Sequence, residues 1–157
     1  MDDVSGLPKE RIADERIHEF RVVGIAVYGE IAAATRLRIG RWNDLVVQAP
    51  FSYSLVTFMD SNETSEWLQG GIRRLRPLLG GLRRLCRLRQ TLLGSNLAVI
   101  QREAVPFNFL GLERGLKRRG VPFVWDIDDS QWRTKRGLRT VLRGSERKYA
   151  WLARNAQ

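Results

Sequence analysis

The chain of 157 residues has very little of the chemistry that most metal and nucleophile sites require, with a single cysteine (Cys86) and a single histidine (His18). One cysteine cannot form an intramolecular disulfide, and the two residues together are too few for a zinc site of Cys and His ligands. They also exclude a Ser-His-Asp or Cys-His catalytic arrangement unless His18 supplies the base. Since His18 lies in a polar stretch, we expect it to be solvated rather than catalytic.

Long apolar runs are also missing. The longest is Val22–Val27, which is far too short to span a bilayer. The first residues, MDDVSGLPKERIADER, include acids and lack the apolar centre of a secretory signal. The whole chain is 43% hydrophobic, which is typical of a globular protein. These features predict a polar leader at 1–20, one domain at 21–157, and a cytoplasmic location.

Acidic residues are absent between Glu66 and Glu103, in a chain whose net charge is +10. This gap holds Arg73, Arg74, Arg76, Arg83, Arg84, Arg87, Arg89 and Arg102. Such a basic stretch attracts phosphate, nucleic acid or an anionic membrane. Nucleic acid is disfavoured because Ile72–Leu93 contains no aromatic residue on which a base could stack.

A leucine stripe runs through the same stretch, formed by Leu75, Leu78, Leu82 and Leu85. One interpretation is an interfacial helix on a membrane. Its lipid contacts would be Arg73, Arg74, Arg83, Arg84 and Arg87, at the cytoplasmic face. The other is a helix whose leucines cover a sheet while its arginines face water. The second is favoured, because an open parallel sheet needs a covering helix at this point in the chain.

Hydrophobic patterning predicts strands that alternate with helices. The predicted strands are Arg21–Val27, Tyr53–Met59, Leu97–Gln101 and Val121–Asp126. The first helix is expected to run from a cap at Thr35 to about Val47, and a polar turn is expected at Asp60–Thr64. Further helices are expected in two pieces between Glu66 and Leu93, then from Pro106 to Gly120, and from about Gly137 onward. This order predicts an α/β fold with a four-stranded parallel sheet and helices on both faces, in three Rossmann-like layers.

Polar residues follow the predicted strands, at the edge where α/β proteins bind ligands. The turn Tyr28-Gly29-Glu30 and the small residues after it could let backbone amides approach a ligand, or could be an ordinary connection. It lacks the GxGxxG and Gly-Lys-Ser/Thr patterns of dinucleotide and ATP sites. Arg36 and Arg38 could hold a phosphate or carboxylate, or could be solvated on a helix face.

The third and fourth strands end in charged residues. Arg102 and Glu103 could form an ion pair that shapes the loop, or a substrate clamp in which Glu103 acts as hydrogen-bond acceptor or base. Asp126, Asp128 and Asp129 could bind a metal, hydrogen-bond hydroxyl groups, or cap the next segment. Trp125 and Trp132 flank these acids, and could stack on a sugar or pack in the core.

Two segments resemble family 4-like glycosyltransferases of the GT-B fold. The segment IQREAVPFNFLGLERGLKRRGVPFVWDIDDSQW is similar to their pattern of IQRE, a proline, a Leu-Glu pair and VYDFDDAIW. The segment VVGIAVYGEIAAATRLRIGRWNDLV is similar to their first strand, ligand loop and helix, with Thr35-Arg36-Leu37-Arg38 matching Ser/Thr-Arg-x-Arg. The resemblance covers roughly Arg21–Gln157 and is thinnest across Ser52–Ser95.

The resemblance implies the N-terminal Rossmann-like domain of an enzyme that moves a sugar from a nucleotide-sugar to a carbohydrate or lipid-linked acceptor. This domain would supply the acceptor side of an interdomain cleft, with no metal and no cofactor. The donor-binding domain is not in this sequence. We therefore expect a truncated or separately encoded fragment, inactive unless a C-terminal domain or a partner completes it, and compatible with peripheral membrane contact. The cleft residues implied are Gly29, Glu30, Arg36, Arg102, Glu103, Asp126, Asp128 and Asp129. The alternative is a non-enzymatic basic module that binds an anionic membrane, phosphate or nucleic acid.

Overall fold

The computed structural model describes residues 20–106, 110–127 and 146–156. Its strands are β1 (Arg21–Ala26), β2 (Ser52–Thr57), β3 (Leu97–Gln101) and β4 (Phe123–Asp126). Its α-helices are α1 (Ala33–Thr35), α2 (Trp42–Leu45), α3 (Ser61–Gln69), α4 (Leu75–Leu93), α5 (Gly111–Arg118) and α6 (Glu146–Asn155). A π-helical turn (Arg36–Gly40) joins α1 to α2, and a 3-10 turn (Gly71–Arg74) precedes α4. Within these residues the predicted alternation of strands and helices is confirmed.

The four strands form one sheet in the order β2-β1-β3-β4, and every neighbouring pair is parallel. The centre is β1, where Val22 stands opposite Tyr53 on one side and Leu97 on the other. The chain moves from β1 outward to β2, then crosses to β3 on the opposite side of β1. The strand order therefore reverses between β1 and β3, which is where open α/β sheets form a crevice at their carboxyl edge.

Both faces of the sheet are covered, because successive strand residues point to opposite sides. Val23 and Ile25 join the larger core cluster, with residues of α3, α4, α5 and α6. Val22 and Ala26 join a smaller cluster with Ile39 and Trp42, from the helical segment 33–45. The three-layer α/β arrangement is thus confirmed for the described residues. Each large apolar side chain buried in these layers contributes about 1.5–3 kcal/mol.

The predicted turn at Asp60–Thr64 is wrong, because α3 already begins at Ser61. Asp60 is its N-cap: the Glu63 N–H donates to Asp60 Oδ1 (2.8 Å), and the Asp60 N–H donates to Glu63 Oε2 (2.9 Å). This reciprocal capping box satisfies two backbone donors that a helix start would leave unpaired.

Thr35 is not the cap that the sequence suggested. The first helical residue is Ala33, the N-cap is Ala32 without a side-chain bond, and Thr35 is buried inside the helical segment. The turn then widens into the π-helical stretch, where a Cβ on Gly40 would lie 3.1 Å from the Thr35 carbonyl oxygen. A glycine at 40 permits this close approach of the backbone.

The end of α5 follows the prediction, whereas its start does not. Gly120 has a φ of 69°, its N–H donates to the Lys117 carbonyl, and the Val121 N–H donates to the Leu116 carbonyl (both 3.1 Å). These two bonds make a Schellman motif, so the stop at Gly120 is confirmed. The helix begins at Gly111 rather than at Pro106, which is buried before it.

The leucines of α4 divide between two faces. Leu78 and Leu85 pack against the larger core cluster, and Gly81 is buried beside Phe58. Leu75 and Leu82 are exposed, so the expectation that the whole stripe covers the sheet is wrong. The side of α4 that faces the core therefore carries Gly81 as well as Leu78 and Leu85, and the ring of Phe58 fills the space next to Gly81.

We expect Gly81→Ala to destabilise the protein by about 1–3 kcal/mol, the usual cost of overpacking. A Cβ at this position would lie 2.3 Å from the ring of Phe58, which is itself fully buried. The matched control is Gly115→Ala in α5, where a Cβ would meet nothing within 4 Å. Since alanine is the better helix former, the control should gain about 1 kcal/mol. Urea unfolding of both variants checks the prediction, and a stabilised Gly81→Ala would contradict it.

Candidate functional site

The candidate site is the carboxyl edge of the sheet, where the segments after β1, β3 and β4 meet. Gly29 and Glu30 lie in the turn after β1, and Arg36 lies in the π-helical turn that follows. Arg102 and Glu103 come directly after β3, and Asp126 is the last residue of β4. Because all strands are parallel, these positions share one edge. Asp128 and Asp129 lie outside the described residues.

Gly29 is buried, and its backbone is already engaged. Its N–H donates to Thr64 Oγ1 (2.9 Å), and the Thr64 hydroxyl donates to the Asp60 carbonyl (2.7 Å). A Cβ on Gly29 would lie 2.6 Å from both the carbonyl carbon of Asp60 and the nitrogen of Ser61. The glycine therefore lets the β1 turn pack on the start of α3. Its amide is committed to that contact rather than directed toward a ligand.

Glu30 and Arg36 are the exposed members of the edge. Arg36 Nη1 donates to the Glu30 carbonyl oxygen at 3.3 Å, a long bond at the surface.

Tyr53 lies near Glu30 and is partly buried. Burial, reinforced by the charge of Glu30, raises the pKa of the Tyr53 hydroxyl above its ordinary value. That hydroxyl donates to the Ile39 carbonyl (2.8 Å), which holds the helical segment 33–45 on the sheet.

An ion pair joins the first connection to the end of β4. Arg38 Nη2 lies 2.5 Å from Asp126 Oδ1, with both side chains partly buried. The pair borders a cleft of about 480 Å³, whose lining includes Trp42, Val99 and Val124. The sequence left several roles open for Arg38 and Asp126. The structure shows that the two side chains neutralise each other's charge.

Arg102 has a backbone conformation that only glycine adopts readily. Its φ is 59°, and it is the one non-glycine residue with positive φ in the part of the chain that the structure describes. The Glu103 N–H donates to the Gln101 carbonyl (2.7 Å), so Arg102 is the centre of a γ-turn. The turn is held by β4, since the Arg102 N–H donates to the Asp126 carbonyl and Trp125 Nε1 donates to the Arg102 carbonyl (both 2.8 Å).

Gln101 ties this turn to the first connection. It is buried, and its Nε2 donates to the Ala34 carbonyl oxygen at 2.8 Å. The loops after β1 and β3 are therefore fixed to each other by a side chain at the strand-order reversal.

Glu103 faces inward onto a lysine that sequence reasoning missed. Lys148 in α6 is 1% exposed, and its Nζ lies 3.2 Å from Glu103 Oε2, 3.1 Å from the Val105 carbonyl and 3.9 Å from Glu113 Oε1. Glu113, in the first turn of α5, is fully buried. A signal for Lys148 exists in the sequence, because it lies four residues before Leu152 on the apolar face of its helix.

Burial sets the protonation of this buried cluster. Desolvation raises the pKa of both the Glu103 and the Glu113 carboxyl above the ordinary glutamate value, and the charge of Lys148 opposes the rise in each case. The cluster joins the loop after β3, α5 and α6. The Glu103 carboxylate is therefore held in an ion pair with Lys148.

The basic residues of Ile72–Leu93 are not equivalent. Arg84 Nη1 donates to the Phe58 carbonyl (2.7 Å) and to Glu63 Oε2 (2.8 Å), while Nη2 lies 3.2 Å from Asp60 Oδ2. It thus ties α4 to the start of α3, so its guanidinium is already engaged by two carboxylates and a carbonyl. Arg74 is exposed but also engaged, with its guanidinium 5.2 Å from the centre of the Trp67 ring and its Nε donating to the Trp67 carbonyl (3.2 Å).

Arg73 and Arg83 remain exposed, as the sequence predicted, although Arg73 donates to the Gln69 side chain. The Arg87 side chain lies outside the part of the chain that the structure describes.

Within residues 20–106, 110–127 and 146–156, no group of three or more His, Cys, Asp or Glu side chains is arranged to hold a metal ion. Comparison of the chain with protein-family models, curated proteins and solved structures finds no match in any of the three.

Proposed function

We propose that this chain is the acceptor-side half of a GT-B glycosyltransferase, which holds a sugar acceptor at the carboxyl edge of its sheet while a nucleotide-sugar is bound by a second domain. The resemblance of two separated segments, in the right order, supplies the family. The four-stranded parallel sheet, with its order reversal between β1 and β3, is compatible with a Rossmann-like half of that fold. The reaction, substrates and partners are part of the proposal.

The observation that carries the proposal is the γ-turn at Arg102. A non-glycine residue in the left-handed region costs about 1–3 kcal/mol and persists only where its surroundings enforce it. Here two hydrogen bonds from β4 and one across the turn enforce it. Strained residues of this kind cluster at ligand sites, and this one stands at the edge where α/β folds bind ligands.

The side chains nearby suit a polar, hydroxyl-rich ligand. Arginine offers several N–H donors in a fixed fork, which can bind hydroxyl, carboxylate or phosphate oxygens. Arg36 is exposed and donates to one backbone carbonyl at long distance. The indole of Trp42 lines the cleft beside the Arg38–Asp126 pair. A sugar could pack its apolar face on such a ring while its hydroxyl groups meet the charged groups.

Donor binding and transfer require a second Rossmann-like domain, since this sheet supplies one wall of a two-walled cleft. We expect the 157-residue chain alone to transfer no sugar from UDP- or GDP-sugars and to retain weak acceptor binding. Saturation-transfer difference NMR with a panel of mono- and disaccharides measures that binding. Signals of one saccharide that are reduced when a second, competing saccharide is added would identify a specific site.

Arg102→Gly is the informative variant, because glycine adopts the positive φ without strain while the guanidinium is lost. We expect acceptor affinity to fall about tenfold, the worth of one good charged hydrogen bond. The melting temperature should be unchanged or higher, because the relief of strain offsets the larger entropy that glycine gives the unfolded chain. Arg118→Gln, an exposed change at the end of α5, is the matched control and should bind like the parent. Equal saccharide binding by Arg102→Gly and the parent would refute the assignment of this edge.

A further inference from the structure

An exposed apolar row runs along the outer face of the 3-10 turn and α4. It consists of four residues, and their exposed fractions are 84% for Ile72, 58% for Leu75, 57% for Leu79 and 45% for Leu82. They are spaced by three and four residues, which places them on one side of a helix. This side is distinct from the packed one, where Leu78 and Leu85 contact the core. Large aliphatic side chains in a continuous exposed row indicate a binding surface.

A basic row lies directly beside it. Arg76 follows Ile72 by four residues, Arg83 follows Leu79 by four, and both are exposed. Arg76 pairs with Glu66 at 2.7 Å, but its side chain is 81% exposed, and exposed pairs of this kind are weak enough to exchange for another anion. No acidic residue occurs from Trp67 through Arg102. We call Ile72, Leu75, Arg76, Leu79, Leu82 and Arg83 the leucine–arginine face.

We propose that the leucine–arginine face docks on the surface of a bilayer that contains anionic lipids. The leucines enter the boundary between headgroups and acyl chains, while the arginines bind lipid phosphates at headgroup level. The helix lies in the plane of the membrane. Among the described residues no helix is long and apolar enough to cross one. This inference stands on the exposed face alone and does not depend on the proposed sugar transfer.

Charge complementarity selects an anionic bilayer over other occupants. A second copy of the chain would bring Arg76 and Arg83 against the same arginines, and Glu66, the acid that contacts the face, is already paired with Arg76 of its own chain. Nucleic acid would satisfy the arginines but would leave the row of leucines and isoleucine without an apolar partner. An anionic lipid surface satisfies both rows at once, because it offers phosphates above an apolar layer.

Flotation of the full chain with phosphatidylcholine vesicles, with and without 30 mol% phosphatidylglycerol, tests the proposal. We expect binding only to the anionic vesicles and a decline as salt is raised. Leu75→Ser/Leu79→Ser/Leu82→Ser should lower the partition coefficient at least tenfold. Arg76→Gln/Arg83→Gln should lower it about 25-fold, since each surface arginine contributes about fivefold at an anionic membrane.

Two matched controls remove the same groups elsewhere. Leu37→Ser/Leu45→Ser/Val47→Ser deletes three other exposed apolar side chains, and Arg118→Gln/Arg119→Gln deletes two other exposed arginines. Both controls should float like the parent. Thermal unfolding monitors the fold, and if the leucine variant fails to fold, the arginine pair tests the same face.

Four results would overturn the proposal. They are the absence of binding to anionic vesicles in 0.1 M salt, equal binding to neutral vesicles, equal loss of binding in the control variants, and a dimer that only the leucine variant dissociates. Binding of a 20-nucleotide DNA by the parent and the leucine variant alike, in place of vesicle binding, would assign the arginines to nucleic acid instead.

Discussion

Lys148→Met should destabilise the protein by about 3–5 kcal/mol at neutral pH, the usual cost of leaving buried charges without their partner. The substitution removes the ammonium that lies 3.2 Å from Glu103 and 3.9 Å from Glu113 while filling most of its volume. Glu113 is fully buried, so water cannot replace the lost charge. Chemical denaturation at pH 7 measures the loss.

The loss should shrink as the pH falls. Burial raises the pKa of Glu103 and Glu113 in the folded protein, so the folded state binds protons more tightly than the unfolded state above about pH 4.5. Stability therefore falls as pH rises through that window. The charge of Lys148 opposes the rise in both pKa values. Its removal therefore raises them further, and the variant loses stability over a wider pH range than the parent. Its deficit should be largest at pH 7 and smaller near pH 5.

Two further variants separate this explanation from a simple packing defect. Adding Glu113→Gln to Lys148→Met removes one unpaired charge and should recover a large part of the lost stability. Arg147→Met deletes the neighbouring exposed cation and should change stability by less than about 0.5 kcal/mol. A deficit that is the same at pH 5 and pH 7 and that Glu113→Gln does not relieve would show that the ionic account is wrong.

Gly29→Ala should cost about 3 kcal/mol, at the upper end of overpacking effects. The new Cβ would lie 2.6 Å from backbone atoms of Asp60 and Ser61, which cannot rotate away as a side chain can. Accommodating it would also lengthen the bond from the Gly29 N–H to Thr64. Thermal unfolding followed by circular dichroism gives the change.

Gly94→Ala is the control for Gly29→Ala, because its Cβ would make only ordinary contacts of 3.6 Å or longer. It should alter stability by less than about 0.5 kcal/mol. If Gly29→Ala also left stability unchanged, the turn after β1 would not be packed on α3. That result would favour the role that the sequence suggested, in which the turn lets a ligand approach the backbone.

Much of the fold could be predicted from local patterns. β1 is a run of five buried residues that includes Val22, Val23 and Ile25, as a central strand requires, and Gly120 is the left-handed residue that ends α5. The start of α3 was missed although Asp60 and Glu63 have the spacing of a capping box. The orientation of α4 was missed because leucines on two adjacent faces follow similar spacings. In the structure Gly81 faces the core beside Phe58 while Leu82 is exposed, and the leucine spacing alone does not distinguish this arrangement from its alternative.

The candidate site was harder to predict, because its contacts join residues far apart in sequence. The sequence indicated polar residues after each strand, but it could not show that Arg38 pairs with Asp126 or that Glu103 turns inward to Lys148. The positive φ of Arg102 has no sequence signal, since it is enforced by β4. Long-range partners of this kind depend on the packed sheet and not on local propensity.

The most direct test of the central claim is amide chemical-shift mapping of the full chain during titration with the saccharide that binds best. The account predicts that the shifts concentrate at the turn after β1, around Glu30–Ala33, and at the γ-turn, around Arg102–Ala104. Both segments should respond together, because Gln101 fixes one loop to the other. Shifts confined to α4 or to the amino ends of the strands, or no shifts at millimolar saccharide, would contradict it.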